Sequence, residues 1–600
     1  MKSPTLLMVV AALGLAASAA PSGAQPRAAP ARAAAPSPAD RAFNRLAERW
    51  LSETLRLNPV AATLAGEYRY NHLLPDISTA GRAEALRLAR TTLRQLGAIR
   101  RASLSRQLQV DAALLENRLN ADIFALDRIQ SWAWDPLDYT GTVGSALFGL
   151  MGREFAPLPQ RLRAATRRME ALPVYLAQVR RQLVPARVPR IHAETALRQN
   201  AGVASVVDTM ILPHAASLPP AERARLERAA AGLKAAVADH GRWLETVLVP
   251  GARGDFRIGA ALYDAKLALA LDSPLSRPEI RRRAEAVIAA TRREMYAIAR
   301  GVLAGRSGAP VARERPTPEQ EQRVIAAALE LAAAERPARD QLVPFARRSM
   351  AQATEFVRQR GLVTIPQGTD WAIIEMPEYQ QGVAVAYADS PGPLDRSQRA
   401  FYSVSPIPAG WTDAQAESFL REYNNRSIQE LTIHEAMPGH LLQIAHSNAY
   451  PSTLRAYLGS GTMIEGWAMY GEDVMREAGY LGGDPLYQLV HLKWRLRATM
   501  NAIIDQMIHV DGASREQIMD LLTRVAFQEE REAAGKWVRA QLSSAQLPTY
   551  FVGYSEWRDL RAEAQRRPGF DLRRFHDRAL SFGSPPVRFV RQLMLDEPLR

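Results

Sequence analysis

No cysteine occurs anywhere in the 600 residues. That absence removes disulfides as a source of stability and thiolates as nucleophiles or metal ligands, so any chemistry rests on oxygen and nitrogen groups or on an ion they hold. It also removes lipid attachment through a cysteine. Long apolar runs are equally scarce: past the N-terminal stretch, none approaches the ~20 residues that span a bilayer. No self-similarity recurs at a period of roughly 34 or 40 residues, which disfavours a stacked solenoid. Aromatic residues make up only 7%, and no basic stretch interleaves with them as a nucleic-acid module requires.

The formal charge of +14 on its own admits an anionic partner such as nucleic acid or a membrane surface. The arginines, however, are scattered among glutamates on helical stretches such as "RRRAEAVIAATRREMYAIAR". That is the pattern of a solvated surface, and no nucleic-acid partner is expected.

What is present begins with "MKSPTLLMVVAALGLAASAAPSGAQ". Lys2, an apolar run from Leu6 to Ala17 and small residues near Ala19 and Ala24 read as a signal peptide over residues 1–24, with an uncleaved anchor as the alternative. Residues 25–40, "QPRAAPARAAAPSPAD", are rich in Ala and Pro and read as a disordered linker. The expectation is a periplasmic or secreted protein without stable membrane insertion after signal cleavage.

The remaining chain is 47% apolar and 23% charged in overall composition, ordinary for a globular protein, and too long for one small core. Up to about residue 360, segments such as "RAAAGLKAAVADHGRWLETVL" place apolar residues at intervals of three and four, which predicts many amphipathic helices. We read residues 41–362 as an N-terminal helical lobe. Between 363 and 405 the texture changes to "DWAIIEMP", "GVAVAYA" and "RAFYSVSP", which predict a sheet of two to four strands. Such a sheet either holds an extended substrate by edge pairing or is a plain structural hairpin. Helices then resume, and residues 363–600 are read as a catalytic lobe. Two of these helices, "TMIEGWAMYGEDVMREAG" and "PLYQLVHLKWRLRATMNAIIDQMIHV", carry polar residues where burial is expected, and such groups need each other or a metal.

Five of the ten histidines, His434, His440, His446, His491 and His509, fall in one window with Glu435, Glu465, Glu472 and Asp505. The segment "HEAMPGH" puts His440 six residues after His434. On a regular helix that spacing leaves the two rings roughly 120° and about 9 Å apart, too far to share an ion. Pro438 lacks an amide hydrogen and Gly439 is conformationally permissive, so a break between them can return His440 to the face of His434. Glu435 is placed to take a proton from a metal-activated water. Glu465, on a second helical stretch, completes a two-histidine, one-glutamate set of the kind zinc accepts. Glu472, seven residues on and on the same face, suits the support of a ligand histidine through its other nitrogen.

Together "HEAMPGHLLQ", "EGWAMYGEDVMREAG", "IIDQMIHVDGASREQIMDLL", "PTYFVGYSEWRDLRAEA" and "FDLRRFHDRAL" resemble the bacterial "domain of unknown function 885" proteins, placed among gluzincin-like metallopeptidases, with angiotensin-converting enzyme, thimet oligopeptidase and Taq-type carboxypeptidases as distant relatives. The resemblance implies a mainly α, multi-helix zincin-like fold with a deep cleft and a small β-sheet flanking the metal helix. It implies one Zn2+ per chain on His434, His440 and Glu465, with Glu435 as the base. One departure is Leu441, where the family often has a second histidine. Tyr550 and Tyr554 resemble the tyrosines with which relatives stabilise an oxyanion; each is alternatively a buried tyrosine with a satisfied hydroxyl. Asp505 and His509, four apart on one helix, are either an oriented imidazole for a substrate carbonyl or a structural pair. Arg561 is a candidate for a substrate carboxylate, and His446 and His491 read as ordinary helix-surface or satisfied core histidines. The expected activity is zinc-dependent hydrolysis of small or unfolded peptides. A zinc hydrolase of a non-peptide amide or ester is one alternative, and a non-catalytic binding or chaperone-like scaffold the other.

Overall fold

The computed structural model describes residues 35–369, 371–376, 385–408 and 410–599. The proposed signal peptide lies outside the described residues. The stretch read as linker ends earlier than residue 40, because a helix, Pro38–Leu57, starts inside it. Ser37 caps that helix by accepting from the Asp40 amide, while Asp40 accepts from the Ser37 amide in return, a reciprocal cap that satisfies two otherwise orphaned donors.

The expected helical texture is what the chain forms. Long helices such as Thr79–Gly97, Leu158–Gln182, Pro220–Trp243 and Arg277–Leu303 bury one apolar stripe each. Their stripes meet in several cores. One is built wholly from residues between Tyr139 and Ala252. A second joins Tyr263–Leu303 to the C-terminal part of the chain, from Leu489 to Val552. The largest takes Phe43, Trp50 and Leu115 from the N-terminal helices and Trp467, Tyr470 and Trp557 from the C-terminal ones. Two of these cores therefore draw on both sides of residue 362.

Three short strands form between the helices: β1 (Trp371–Glu375), β2 (Ala386–Asp389) and β3 (Ala400–Val404). They are ordered β1-β3-β2, with β3 parallel to β1 and antiparallel to β2. Alternation along β3 turns Ala400, Tyr402 and Val404 into a core with Ile428, Leu431 and Leu441. Tyr402 reaches Thr432 through its hydroxyl at 3.3 Å, which seats the sheet on the Asn425–Glu435 helix.

Candidate metal centre

The Asn425–Glu435 helix starts where the Asn424 side chain accepts from the amides of Arg426 and Ser427. It stops just before the Met437–Pro438 peptide, which is cis, and a second helix, His440–Ala449, begins two residues later. Gly439 is obligatory at this junction. A Cβ there would lie 1.8 Å from the His434 carbonyl oxygen, whereas the bare backbone passes close enough for the Gly439 amide to donate to Ile433 O at 2.9 Å. Trp467 clamps the break from the side by donating its indole N–H to Pro438 O at 2.7 Å. Trp467 is itself buried against Trp557 and Tyr470. Truncating such a side chain to alanine typically costs about 3–5 kcal/mol.

The break does what the spacing required. The His434 and His440 ring centroids are 4.7 Å apart and nearly perpendicular, at 82°. Glu465 arrives from the Gly461–Glu477 helix, and its Oε2 lies 3.6 Å from His434 Nε2 and 3.4 Å from His440 Nε2. One ligand atom from each of the three residues lies within 4.8 Å of the other two. Glu465 Oε2 is buried without a hydrogen-bond partner, and so is His440 Nδ1. A buried carboxylate oxygen facing two imidazole nitrogens and bonded to neither is a costly arrangement by itself, and one that a divalent cation relieves. Two imidazoles and a carboxylate are a donor set suited to zinc.

The surroundings fix each member. Glu472 lies two turns along from Glu465 and accepts from His434 Nδ1 at 2.6 Å, which leaves Nε2 to face Glu465. Burial alone would depress the His434 pKa, but Glu465 and Glu472 override it and hold the imidazole well above the ordinary histidine range. Burial likewise works against an ionised Glu465, yet His434 and His440 draw its pKa far below the usual carboxylate range. Glu435 is different: burial raises its pKa, and the two histidines only partly compensate. Its Oε2 accepts from the Ala388 amide at 3.1 Å. That amide belongs to edge strand β2, so the sheet meets the histidine segment through the carboxylate next to His434.

Tyr550 stacks beside His434, with ring centroids 6.4 Å apart and planes at 20°. Its hydroxyl accepts from Arg539 Nη2 at 3.3 Å, and burial, with Glu465 nearby, pushes its pKa up to about 12. The Pro548–Gln565 helix that carries it crosses Gly461–Glu477 at two facing glycines. A Cβ on Gly466 would lie 2.4 Å from the Gly553 carbonyl carbon, so the pair permits a backbone approach no other residue allows.

Other expectations are corrected. Tyr554 turns away from the triad and donates to Asp473 Oδ2 at 2.6 Å, so it is the satisfied buried tyrosine. His509 Nε2 bonds the carbonyls of Ala540 at 2.8 Å and Ser543 at 2.7 Å, while Asp505 accepts from Tyr263 at 2.6 Å and from the Ala545 amide at 2.8 Å. Both therefore pin the segment ahead of Tyr550 rather than face the triad. Arg561 is held by Glu477 at 2.7 Å. His446, read as ordinary, bonds the Thr364 carbonyl at 2.8 Å.

Of the two readings of His491, the structure shows the satisfied core histidine. It lies fully buried between Glu430, 2.7 Å from Nδ1, and Asp473, 2.9 Å from Nε2. Arg495 also binds Asp473, and Tyr487 donates to Glu430 at 2.8 Å. Glu430, Glu472 and His491 are close enough to hold an ion, but both nitrogens of His491 are already bonded. The sequence signal was the cluster of polar residues on buried helix faces; it does not say which of them pair.

Residues 59–594 match the model of a family described as bacterial proteins of unknown function, DUF885. The chain belongs to that family. Among solved structures, a chain from Shewanella oneidensis, described as a candidate lipoprotein of unknown function, is 33% identical with a TM-score of 0.77, over 92% of this chain and 99% of that one. A candidate lipoprotein from Colwellia psychrerythraea shares the fold, with a TM-score of 0.73 at 18% identity and the same coverage. A comparison with curated proteins returns no match.

Proposed function

We propose that this member of the family is an exported zinc-dependent hydrolase that cleaves small or unfolded peptides in a cleft of a zincin-like helical fold. The observation that carries the reading is the convergence of His434, His440 and Glu465 around an unbonded, buried carboxylate oxygen, with Glu435 next to them in the chain. A divalent ion on that set supplies Lewis acidity, polarising a carbonyl and acidifying a water. The residues do the rest. Glu472 keeps His434 in the orientation that presents Nε2. Glu435, whose raised pKa brings it nearer to neutrality than an ordinary carboxylate, accepts the proton of the attacking water and returns it to the departing amine. Tyr550 donates its hydroxyl to the carbonyl oxygen as negative charge builds there. Edge strand β2, tied to the site by the Ala388 amide on Glu435, is the side along which an extended substrate chain would lie.

Export rests on the signal-like first residues and on the lipoprotein descriptions of the two similar structures. This chain has no cysteine to carry a lipid, and no helix among the described residues is long and apolar enough to cross a membrane.

The test is elemental analysis of the purified protein beside its His440→Ala variant, together with digestion of a peptide library read by mass spectrometry. One zinc per chain, lost in the variant, and cleavage abolished by Glu435→Gln are expected. Metal-free protein that binds no added zinc ends the proposal, and cleavage of a small ester with no peptide cut redirects it to a non-peptide substrate.

A further inference from the structure

Next to Tyr550 lies a group of cations with too few acids. Lys493 and Arg497, on the Pro485–His509 helix, face Lys536 and Arg539 of the Glu530–Leu542 helix. Two carboxylates enter this group, and both are taken. Glu422 binds Lys493 at 2.7 Å and accepts from the Glu529 amide at 3.1 Å. Glu532 binds Arg497 and accepts from the Tyr423 hydroxyl at 3.2 Å. Lys536, only 5% exposed, makes no hydrogen bond or ion pair among the described residues. Arg539 makes no ion pair among them, and its guanidinium reaches only Gln546 at 3.4 Å and Tyr550 at 3.3 Å. Trp494, one turn from Arg497 and 5.1 Å beneath its guanidinium, leaves its indole N–H buried and unbonded.

An almost wholly buried lysine whose nearest acids, Glu532 and Glu422, are already engaged by Arg497 and Lys493 is costly for a fold to keep. Burial, with Arg497 and Arg539 close by, holds the Lys536 pKa well below the ordinary lysine range. A structural lysine would have been paired, as Lys493 is. Lys536 and Arg539 are three residues apart and so share a helix face, and Arg539 touches the tyrosine that stacks on His434.

We propose that Lys536 and Arg539 form a subsite for a substrate carboxylate immediately beside the metal centre. The proposal deepens the hydrolase reading and rests on it for its orientation. With a scissile carbonyl at the triad, the subsite receives a carboxylate further along the substrate chain, on the side of Tyr550. The C-terminal carboxylate of a short leaving segment fits that place, and so does an acidic side chain there. The first makes the protein an exopeptidase acting from the C-terminus.

Three probes separate these sources: acetyl-trialanine with a free carboxylate, its C-terminal amide, and the amide of acetyl-Ala-Ala-Glu. Calorimetric binding to the zinc-loaded full chain is compared among wild type, Lys536→Met and Arg539→Gln. We expect the free carboxylate to bind at least tenfold tighter than the plain amide, with that ratio falling towards one in both variants. Tight binding of the glutamyl amide alone assigns the subsite to an acidic side chain. Equal affinity for all three probes in wild type, or a ratio unchanged in both variants, overturns the subsite. Lys536→Met keeps the side-chain length and removes an unpaired charge, so it should unfold no earlier than wild type; a lowered thermal midpoint indicates a structural role instead. Hydrolysis of the same peptides is scored separately. Discrimination in binding without cleavage counts against the peptidase reading and leaves the subsite, whereas cleavage without discrimination does the reverse.

Discussion

Two clusters of buried histidine and carboxylate sit side by side in this molecule, and they behave oppositely. In one, His491 lies between Glu430 and Asp473 with both ring nitrogens bonded. In the other, His434 and His440 turn their Nε2 atoms to a Glu465 oxygen that bonds neither. Residue types, burial and helical context are alike, and Glu472 touches both, so composition does not distinguish them. What does is satisfaction: the His491 cluster has closed its own hydrogen bonds, while the His434 cluster keeps converging atoms open. An ion pair network needs nothing more, and a ligand set needs a cation.

Removing groups from each cluster breaks the comparison most directly. Glu435→Gln should leave zinc stoichiometric and lower kcat by about 10²–10⁴-fold, the range of general-base catalysis. His440→Ala should abolish both zinc and activity. Gly439→Ala should do the same without touching a ligand, because its Cβ cannot coexist with the His434 carbonyl. His491→Gln should instead keep zinc and lose stability, by about 3–5 kcal/mol, since it leaves the buried Glu430 without its cation, with Tyr487 as its remaining donor. Zinc lost from His491→Gln and retained in His440→Ala would reverse the assignment.

The two tyrosines give a second, smaller contrast. Tyr550→Phe should reduce kcat by about 10²-fold, as loss of one oxyanion donor does elsewhere, with little change in unfolding. Tyr554→Phe should leave kcat intact and cost about 1–3 kcal/mol, the penalty for removing a hydrogen bond to a buried charge. Glu472→Gln bridges the clusters, and the expected effect is a zinc affinity weakened by about 10–100-fold, measured by competition with a chelator.

How much of this was legible depended on where each partner lies in the chain. The triad was readable because Pro438 and Gly439 advertise a break and the helical phase of Glu465 and Glu472 is set locally. Tyr554 was not: it shares a helix face with Tyr550, but the Gly466–Gly553 crossing aims it at Asp473, a fact of packing between distant segments. The pairing of Asp505 with His509 is real as a periodicity, yet the groups they bind are loop carbonyls and amides that no pattern announces. His491 was legible as a satisfied core histidine but its partners were not, because they arrive from two other helices. Nothing in the sequence singles out Lys536, because sequence cannot show that the nearby acids are already taken.

The least perturbing way to sharpen the contrast is pH, because it tests the closed cluster without a mutation. Burial opposes the charge on His491, but Glu430 and Asp473 raise its pKa to about 9, against about 6.5 in an unfolded chain. Below that lower value both states hold the proton and the cluster contributes fully. Between the two values the folded state holds a proton that the unfolded state has released, so stability declines as pH rises, and above about 9 the contribution is gone. Glu430 and Asp473 act in the opposite sense. Burial raises both pKa values, but His491, and for Asp473 also Arg495, hold them below the ordinary carboxylate range, so their share is lost in acid. Stability of the metal-free protein, followed as a urea midpoint, should therefore be greatest between the carboxylate range and pH 6.5 and fall towards pH 9. In His491→Gln the alkaline limb should become shallower, the remainder belonging to His434, whose pKa Glu465 and Glu472 also raise; a limb of unchanged slope would mean that the proton held there is not on His491.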